Sequence, residues 1–400
     1  MKMLRRSFIQ GCLTLGAAPC APTVVACTKD TPARSPLGAL EPDPEGILEL
    51  PAGYRYVVLE QSGDEMSDGH PVGERPDGMA CFEGEDGQWI LMRNHEVDVG
   101  SSDPDVAYDP NMVGGVSRVV VDKASLTRKS SNYVLLGTAR NCAGGQSPWG
   151  WLTCEESEDA RHGYVFLCDI DAEQVAKPQR APSLGRFKHE AAAVDPETSI
   201  IYLTEDQRKS AFYRHVPDTG PFAGKLQALK VHGQPRLPLS EGLSIGDQFK
   251  VEWVQVADPE GQDQTCAEQA FERGAAEINR GEGCWFFDGS VFFVSTEGGP
   301  RGLGQVFRLD PKHDTLTLIA QAEDEDALVN PDNITVSPAG EVYVVEDNDG
   351  PNHIRRIGPD GAVETFARNV LNEGKSELCG VCFSPDGSVM FVNIQEEGLT

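Results

Sequence analysis

The chain has 400 residues, 63 of them acidic and 34 basic, for a formal net charge of −29. A surplus of that size repels nucleic acid and anionic lipid and argues against both as partners. An apolar share of 39% with 42 glycines suits a turn-rich β chain with one adequate core.

At the N-terminus, Arg5-Arg6-Ser7-Phe8-Ile9 precedes a weakly apolar stretch over residues 11–26. That order resembles a bacterial twin-arginine export signal, which makes the export machinery a partner and the periplasm or cell envelope the expected location. The stretch is too short, and too rich in Gly, Pro and Thr, to span a bilayer. Val24-Val25-Ala26-Cys27 also resembles a lipobox, in which Cys27 is lipidated and anchors the chain to the membrane. Simple cleavage nearby, with Cys27 discarded, is the alternative. Residues 1–27 are thus expected to be the signal, and the proline-rich residues 28–48 a flexible tether.

Further along, one pattern recurs six times, over residues 76–96, 142–156, 190–206, 282–297, 332–347 and 377–393. An acid or thiol opens each segment, two β-patterned stretches follow, and a polar, mostly acidic cluster closes it. Midway turns such as Asp86-Gly87 or Pro338-Ala339-Gly340 make these segments β-hairpins, so their two open ends are neighbours. Further strand-like runs follow at 117–122 and 132–136, at 305–309 and 315–320, and at 353–357 and 363–367. Four strands per unit, at intervals of about 46–65 residues with one longer gap, predict propeller blades. The sixth unit has only two strands, and residues 54–59 (YRYVVL) are expected to supply its outer strand and close the ring. The predicted fold class is all-β: a six-bladed β-propeller over residues 49–400, with a helical insertion between blades. That insertion runs over 231–279 and ends in QTCAEQAFERGAAEIN, a helical composition over 264–279. An unrelated all-β sandwich would also alternate, but would not repeat the acid–hairpin–acid pattern.

Repetition about one axis brings the acidic ends to a common mouth, the geometry of a carboxylate-lined metal site. Cys142, in Asn141-Cys142-Ala143-Gly144-Gly145, occupies the slot held elsewhere by Glu190, Glu282 and Asp332. A thiolate among carboxylates points to a transition metal, because calcium takes oxygen ligands only. A buried spectator cysteine is the alternative. Arg280 lies two residues before Glu282, so strand alternation puts both on one side. There it either holds an anion by bidentate hydrogen bonds or neutralises surplus carboxylates. His95 and His189 each precede a repeat Glu and alternate away from it, which makes them supports behind the ligands or structural residues; His215, in an outer strand, reads as structural. Cys379-Gly-Val-Cys382 has redox or zinc spacing but no second pair, and reads as core packing. HExxH and P-loop motifs are absent, which argues against zinc proteases and nucleotide-dependent enzymes.

The strings NCAGGQSPWGWLTCEE, FKHEAAAVDPETSIIYLTED, RGEG and NPDNI together resemble the PhoX-type alkaline phosphatases, exported bacterial six-bladed propellers. The resemblance runs from Asp77 to the end of the chain. It implies two ferric iron ions and up to three calcium ions in the mouth, and hydrolysis of phosphate monoesters by water or oxide held at that cluster. By motif position it implies Cys142, Glu190, Glu282 and Asp332 as iron ligands. Glu155 and Glu156, with Glu205, Glu297 and Glu346, are the implied calcium or bridging ligands. Arg280 is the implied contact to the substrate phosphate, and Cys142 serves as a ligand rather than an attacking group. The family pattern carries one more residue between PWG and WLTCEE, which leaves the register of Glu155 and Glu156 open. Asn393 stands where an acid is expected. One rival is a calcium-dependent propeller lactonase or esterase using Glu190, Asp332 and Asn333, which leaves Cys142 without a role. The other is a non-catalytic envelope module that binds structural calcium. A small phosphate ester and the export machinery are the expected partners of a monomeric chain.

Overall fold

Alternating apolar residues cut by glycine turns fold into antiparallel hairpins that continue outward into further strands. The computed structural model describes residues 37–400, so Cys27 and the export signal lie outside the described residues. Blade one comprises Pro76–Glu83, Gln88–His95, Gly114–Asp122 and Thr127–Thr138. Blade two comprises Asn141–Ser147, Gly150–Glu155, Val165–Cys168 and Gln179–Arg180, and blade three His189–Val194, Ile201–Glu205, Tyr213–Gly220 and Ala223–Val231. Blade four follows with Gly281–Phe287, Ser290–Ser295, Gln305–Asp310 and Thr315–Gln321, and blade five with Pro331–Val336, Val342–Glu346, His353–Ile357 and Val363–Asn369. Blade six is the hairpin Leu378–Phe383 and Met390–Ile394. The first, inner strands adjoin one another in order, and the sixth returns to the first. The six-bladed propeller read from the repeats is the fold.

Hydrophobic side chains fill each gap between neighbouring blades. Trp151 and Phe166 of blade two pack on Ile90 and Met92 of blade one, while Phe212 of blade three stacks on Phe293 of blade four at 4.1 Å. Phe391 of blade six meets Trp89 of blade one. Each such fully buried large side chain contributes about 1.5–3 kcal/mol, so the ring is held by six separate cores rather than one.

Three expectations about the periphery change. The insertion carries a shorter helix than expected, Cys266–Glu272, started by a capping box between Thr265 and Glu268. It also carries a strand the composition did not reveal, Gln248–Gln255. That strand pairs with Ala223–Val231 on one side and Thr315–Gln321 on the other, joining blades three and four in one sheet. At the ring closure, residues 54–59 form no strand, and Tyr54 and Val57 are exposed. The closing contacts fall slightly later: Leu399 bridges both Ile394 and Gln61, and Leu59 N donates to Thr400 O at 2.7 Å. Buried Glu60 accepts from Arg128 at 2.7 Å and forms an ion pair with Arg93 at 2.8 Å, both of blade one. Finally, part of the expected tether is paired: Leu40–Glu41 and Leu48–Pro51 extend the outer edge of blade five, with Leu48 opposite Asn369.

Candidate metal centre at the propeller mouth

Every inner hairpin is irregular at the same place. The pairings Pro76–His95, Asn141–Glu155, His189–Glu205, Gly281–Ser295 and Pro331–Glu346 are each followed by a register shift in the inner strand. Blade six repeats the shift after Cys379, with Leu378 opposite Ile394. Such bulges re-aim the side chains they contain. The residues just past the pairings form a first row: Asp77, Cys142, Glu190, Glu282, Asp332 and, in blade six, Cys379. Small residues next to this row let the strands converge. A Cβ on Gly78 would sit 2.5 Å from Ala143 Cα, and one on Gly283 would sit 2.7 Å from Asp332 O.

A second row follows the second strands: Glu96, Glu156, Asp206, Thr296, Asp347 and Gln395. The backbone N–H of each donates to the carbonyl of the residue that opens its hairpin, respectively Arg75, Arg140, Lys188, Arg280, Asn330 and Glu377, at 2.9–3.2 Å. Of these openers, Arg75, Arg140, Arg280 and Asn330 hold positive φ, between 43° and 51°. This shared turn aims four basic side chains from blades one to four over the acids. Apart from Cys379 and Gln395, the members of both rows line one cavity of about 430 Å³, together with Arg75, Arg140, Lys188, Arg280 and Glu377.

The first row is set up for a polyvalent cation. Carboxylate oxygens of Glu190, Glu282 and Asp332 lie within 4.8 Å of one another, as do ligand atoms of Asp77, Glu96 and Cys142. Burial, then mutual repulsion, pushes the carboxyls of Asp77, Glu190, Glu282 and Asp332 well above their usual range. The same causes push up the Cys142 thiol. Asp77 Oδ1 is buried without a hydrogen-bond partner among the described residues. A thiol, several carboxylates and an orphaned carboxylate oxygen match a hard-to-borderline transition metal such as iron.

Neutral amides brace this row. Asn94 Nδ2 donates to the carbonyls of Cys142 and Ala143 at 2.7 and 2.6 Å. Asn393 donates to Asp77 O at 2.6 Å. Gln395 Nε2 lies 2.8–3.1 Å from carboxylate oxygens of Asp77, Glu96 and Glu377. Asn393 is therefore not the vacant acid position of the last repeat; Gln395 is.

The expected site residues divide cleanly. Cys142, Glu156, Glu190, Glu282, Asp332 and Arg280 meet in the cavity. Glu155, Glu205 and Glu346 do not, because each pairs directly with the inner-strand residue before the first row, and alternation turns it off the mouth. They act as clasps instead. Glu155 accepts from Ala139 N and His162, Glu346 from Val329 N and Arg355, and Glu205 from Tyr213 Oη at 2.6 Å. Glu297 lies one residue beyond the row, where Thr296 lines the cavity, and its oxygen is 3.8 Å from Arg280 Nη1. Motif reading missed Asp77, Glu96, Asp206, Asp347, Arg75, Arg140 and Lys188. The two histidines are structural as expected: His95 bonds Ser117 and the Glu74 carbonyl, His189 bonds the Gly185 carbonyl, and burial lowers each to about 3. Cys382 packs in the core between blades six and one. Cys379, also read as packing, takes a first-row slot, although its Sγ donates to Pro76 O at 3.1 Å.

Arg280 is held firmly. Its Nε and Nη2 donate to the two oxygens of Asp206 at 2.7 and 2.9 Å, and Nη2 also lies 3.1 Å from Glu282 Oε1. The remaining nitrogen, Nη1, has Glu297 at 3.8 Å, beyond hydrogen-bond reach.

Fold and site together define a β-propeller whose mouth carries a thiol and a ring of carboxylates arranged for polyvalent cations, with an anchored guanidinium beside them. The chain belongs to the family described as alkaline phosphatase PhoX, which it matches over residues 35–128 and 120–398. Among solved structures it is similar to Pseudomonas fluorescens PhoX in complex with vanadate, a transition state analogue. That likeness has 20% identity and a TM-score of 0.68, covering 91% of this chain and 93% of that one. A Bacteroides thetaiotaomicron protein of unknown function is 12% identical with a TM-score of 0.47, over 86% of this chain and 74% of that one. A Xanthomonas campestris gluconolactonase is 11% identical with a TM-score of 0.43, over 92% and 99%. These two are too distant to inform the site. No curated protein sequence matches the chain. Among the described residues no helix is long and apolar enough to cross a membrane.

Proposed function

We propose that the chain is a metal-dependent phosphatase that hydrolyses phosphate monoesters in the propeller mouth after export to the cell envelope. Family membership supports the reaction class, and the observation that carries the site assignment is Arg280. Asp206 fixes its planar fork from one side, with Nη2 beside first-row Glu282, and leaves Nη1 as a charged donor without a hydrogen bond among the described residues. A guanidinium so oriented binds a phosphoryl group without first losing side-chain entropy.

Two ferric ions fit the first row, with Cys142, Glu190, Glu282 and Asp332 as ligands and Asp77 beside them. Iron held by these residues would supply Lewis acidity, lowering the pKa of water near neutrality and offsetting phosphoryl charge. Cys142 serves as a ligand, since its buried thiol holds its proton unless a cation stabilises the thiolate. Arg280 adds charge stabilisation as the transferring group loses its bond to the leaving oxygen.

The test is hydrolysis of an aryl phosphate by protein exported in its folded form, with inhibition by phosphate and vanadate. Arg280→Ala should cut turnover by about 2–4 kcal/mol, roughly 30- to 1000-fold, and weaken both inhibitors at unchanged metal content. Arg280→Lys should rescue only in part, because a point charge lacks the fork. Full rescue by lysine with unaltered inhibition would sink the assignment.

A further inference from the structure

The second-row acids of blades one to three already have cations. Glu96 pairs with Arg140 at 2.5 Å and Arg75 at 3.3 Å. Glu156 lies between Arg140, at 2.6 Å, and the Lys188 ammonium, which contacts its other oxygen. Asp206 takes both donors of Arg280, with Lys188 3.9 Å away. Calcium needs six to eight oxygens at once. Here the carboxylates that would supply them are occupied by guanidinium and ammonium groups on the same backbone turn. In blades one to three the donor set of the second row does not fit calcium.

We infer that Arg75, Arg140, Lys188 and Arg280 do permanently what calcium ions would otherwise do in this mouth, so that the protein needs trivalent metal in the first row but no calcium. This rests on the proposed ferric centre for its two trivalent cations and on the phosphatase reading for its activity arm. The charge count agrees. Fully ionised, as bound metal would require, the nine carboxylates and Cys142 that line the cavity would carry ten negative charges. The four basic side chains offset four, and the six that remain equal the charge of two trivalent cations. Adding three calcium ions would leave the mouth strongly positive. The arrangement is also built rather than incidental. All four cations open hairpins at equivalent positions, each tied through its carbonyl to the second-row N–H of its own hairpin.

Elemental analysis, thermal melting and aryl phosphate turnover of the exported protein test this, before and after a calcium-selective chelator. The expected result is iron without stoichiometric calcium, and a melting temperature and turnover that the chelator leaves unchanged. Lys188→Gln, alone and with Arg140→Gln, frees the Glu156 and Glu96 oxygens. Millimolar calcium should then raise the variant's melting temperature by about 2–5 °C, where it does nothing for the parent. One or more calcium ions held by the parent, with melting or turnover falling on their removal, overturns the inference. So does a variant that melts the same with and without calcium. Metal content and melting are read without substrate. A calcium-indifferent protein that hydrolyses no phosphate ester would refute the phosphatase reading and leave this one intact.

Discussion

Two sides of the mouth share one backbone and differ in charge. On blades one to four the residue opening each hairpin is Arg75, Arg140, Lys188 or Arg280, and on blades five and six it is Asn330 or Glu377. All six carbonyls accept the same hydrogen bond from the second row. The second-row acids of the basic side are paired from within, whereas Asp332, Asp347 and Glu377 face the cavity with no side-chain cation opening a hairpin of their own blades. A repeated turn fixes where a side chain goes, and the single residue placed on it decides whether that sector attracts metal or substrate anion. In the proposed reaction, the first-row residues of blades one to five gather the metal and the phosphoryl group is approached from the basic side.

The largest expected effect comes from emptying the bare side. Asp332→Asn keeps the shape but removes one carboxylate from the Glu190–Glu282–Asp332 group. Bound iron should fall and aryl phosphate turnover should drop by about 100-fold or more, with the β-rich circular dichroism retained. Normal iron content in that variant would remove Asp332 from the site.

Next is an attempt to make the two sides alike. Asn330 already holds φ at 43°, as its arginine counterparts do, so Asn330→Arg places a fourth guanidinium on a turn that accepts it. Affinity for first-row metal should fall about tenfold while the metal-free protein melts higher, both measurable by titration and calorimetry. A variant that binds metal as tightly as the parent would show that the asymmetry carries no energetic consequence.

The mildest effect concerns a clasp rather than a ligand. Burial raises the Glu205 carboxyl to about 7, against an accepted hydrogen bond from Tyr213 that lowers it. The folded state therefore holds a proton that the unfolded chain releases near pH 4.5. Its contribution is fully present below that pH and is lost as pH rises through about 7. Glu205→Gln should flatten the fall in stability across that window, a difference of about 1–3 kcal/mol between its ends in denaturant titrations. An unchanged slope would mean that Glu205 is already ionised in the folded protein.

Six repeats, their turns and the convergence of their acids were legible because hairpin chemistry is local. The segment ends at Glu96, Glu156, Asp206 and Asp347 are the second row itself, yet Glu205 and Glu346 were preferred to their neighbours. Adjacent acids such as Glu205-Asp206 and Glu346-Asp347 differ only in which way alternation points them. The bulge that decides this is a backbone irregularity set by packing against the next blade, as at Gly78 and Gly283. Arg75, Arg140 and Lys188 carry no motif of their own and become meaningful only when four blades are superposed. Residues 54–59 failed as a strand although their side chains favour one, because tertiary pairing beside Thr400 engages Leu59 to Gln61 instead.

The ring closure sets an order in time. Asp77 is braced by Asn393 and Gln395, more than 300 positions away, and Arg93 of blade one reaches both Glu60 and Thr400. Contacts so remote in sequence form late in folding, because their loop entropy is lost before they return any stabilisation. A complete first row cannot exist before blade six has docked on blade one. Metal captured there, as proposed, would act as a latch: it would arrive last and select, from all partly closed rings, the one in which both ends of the propeller have met.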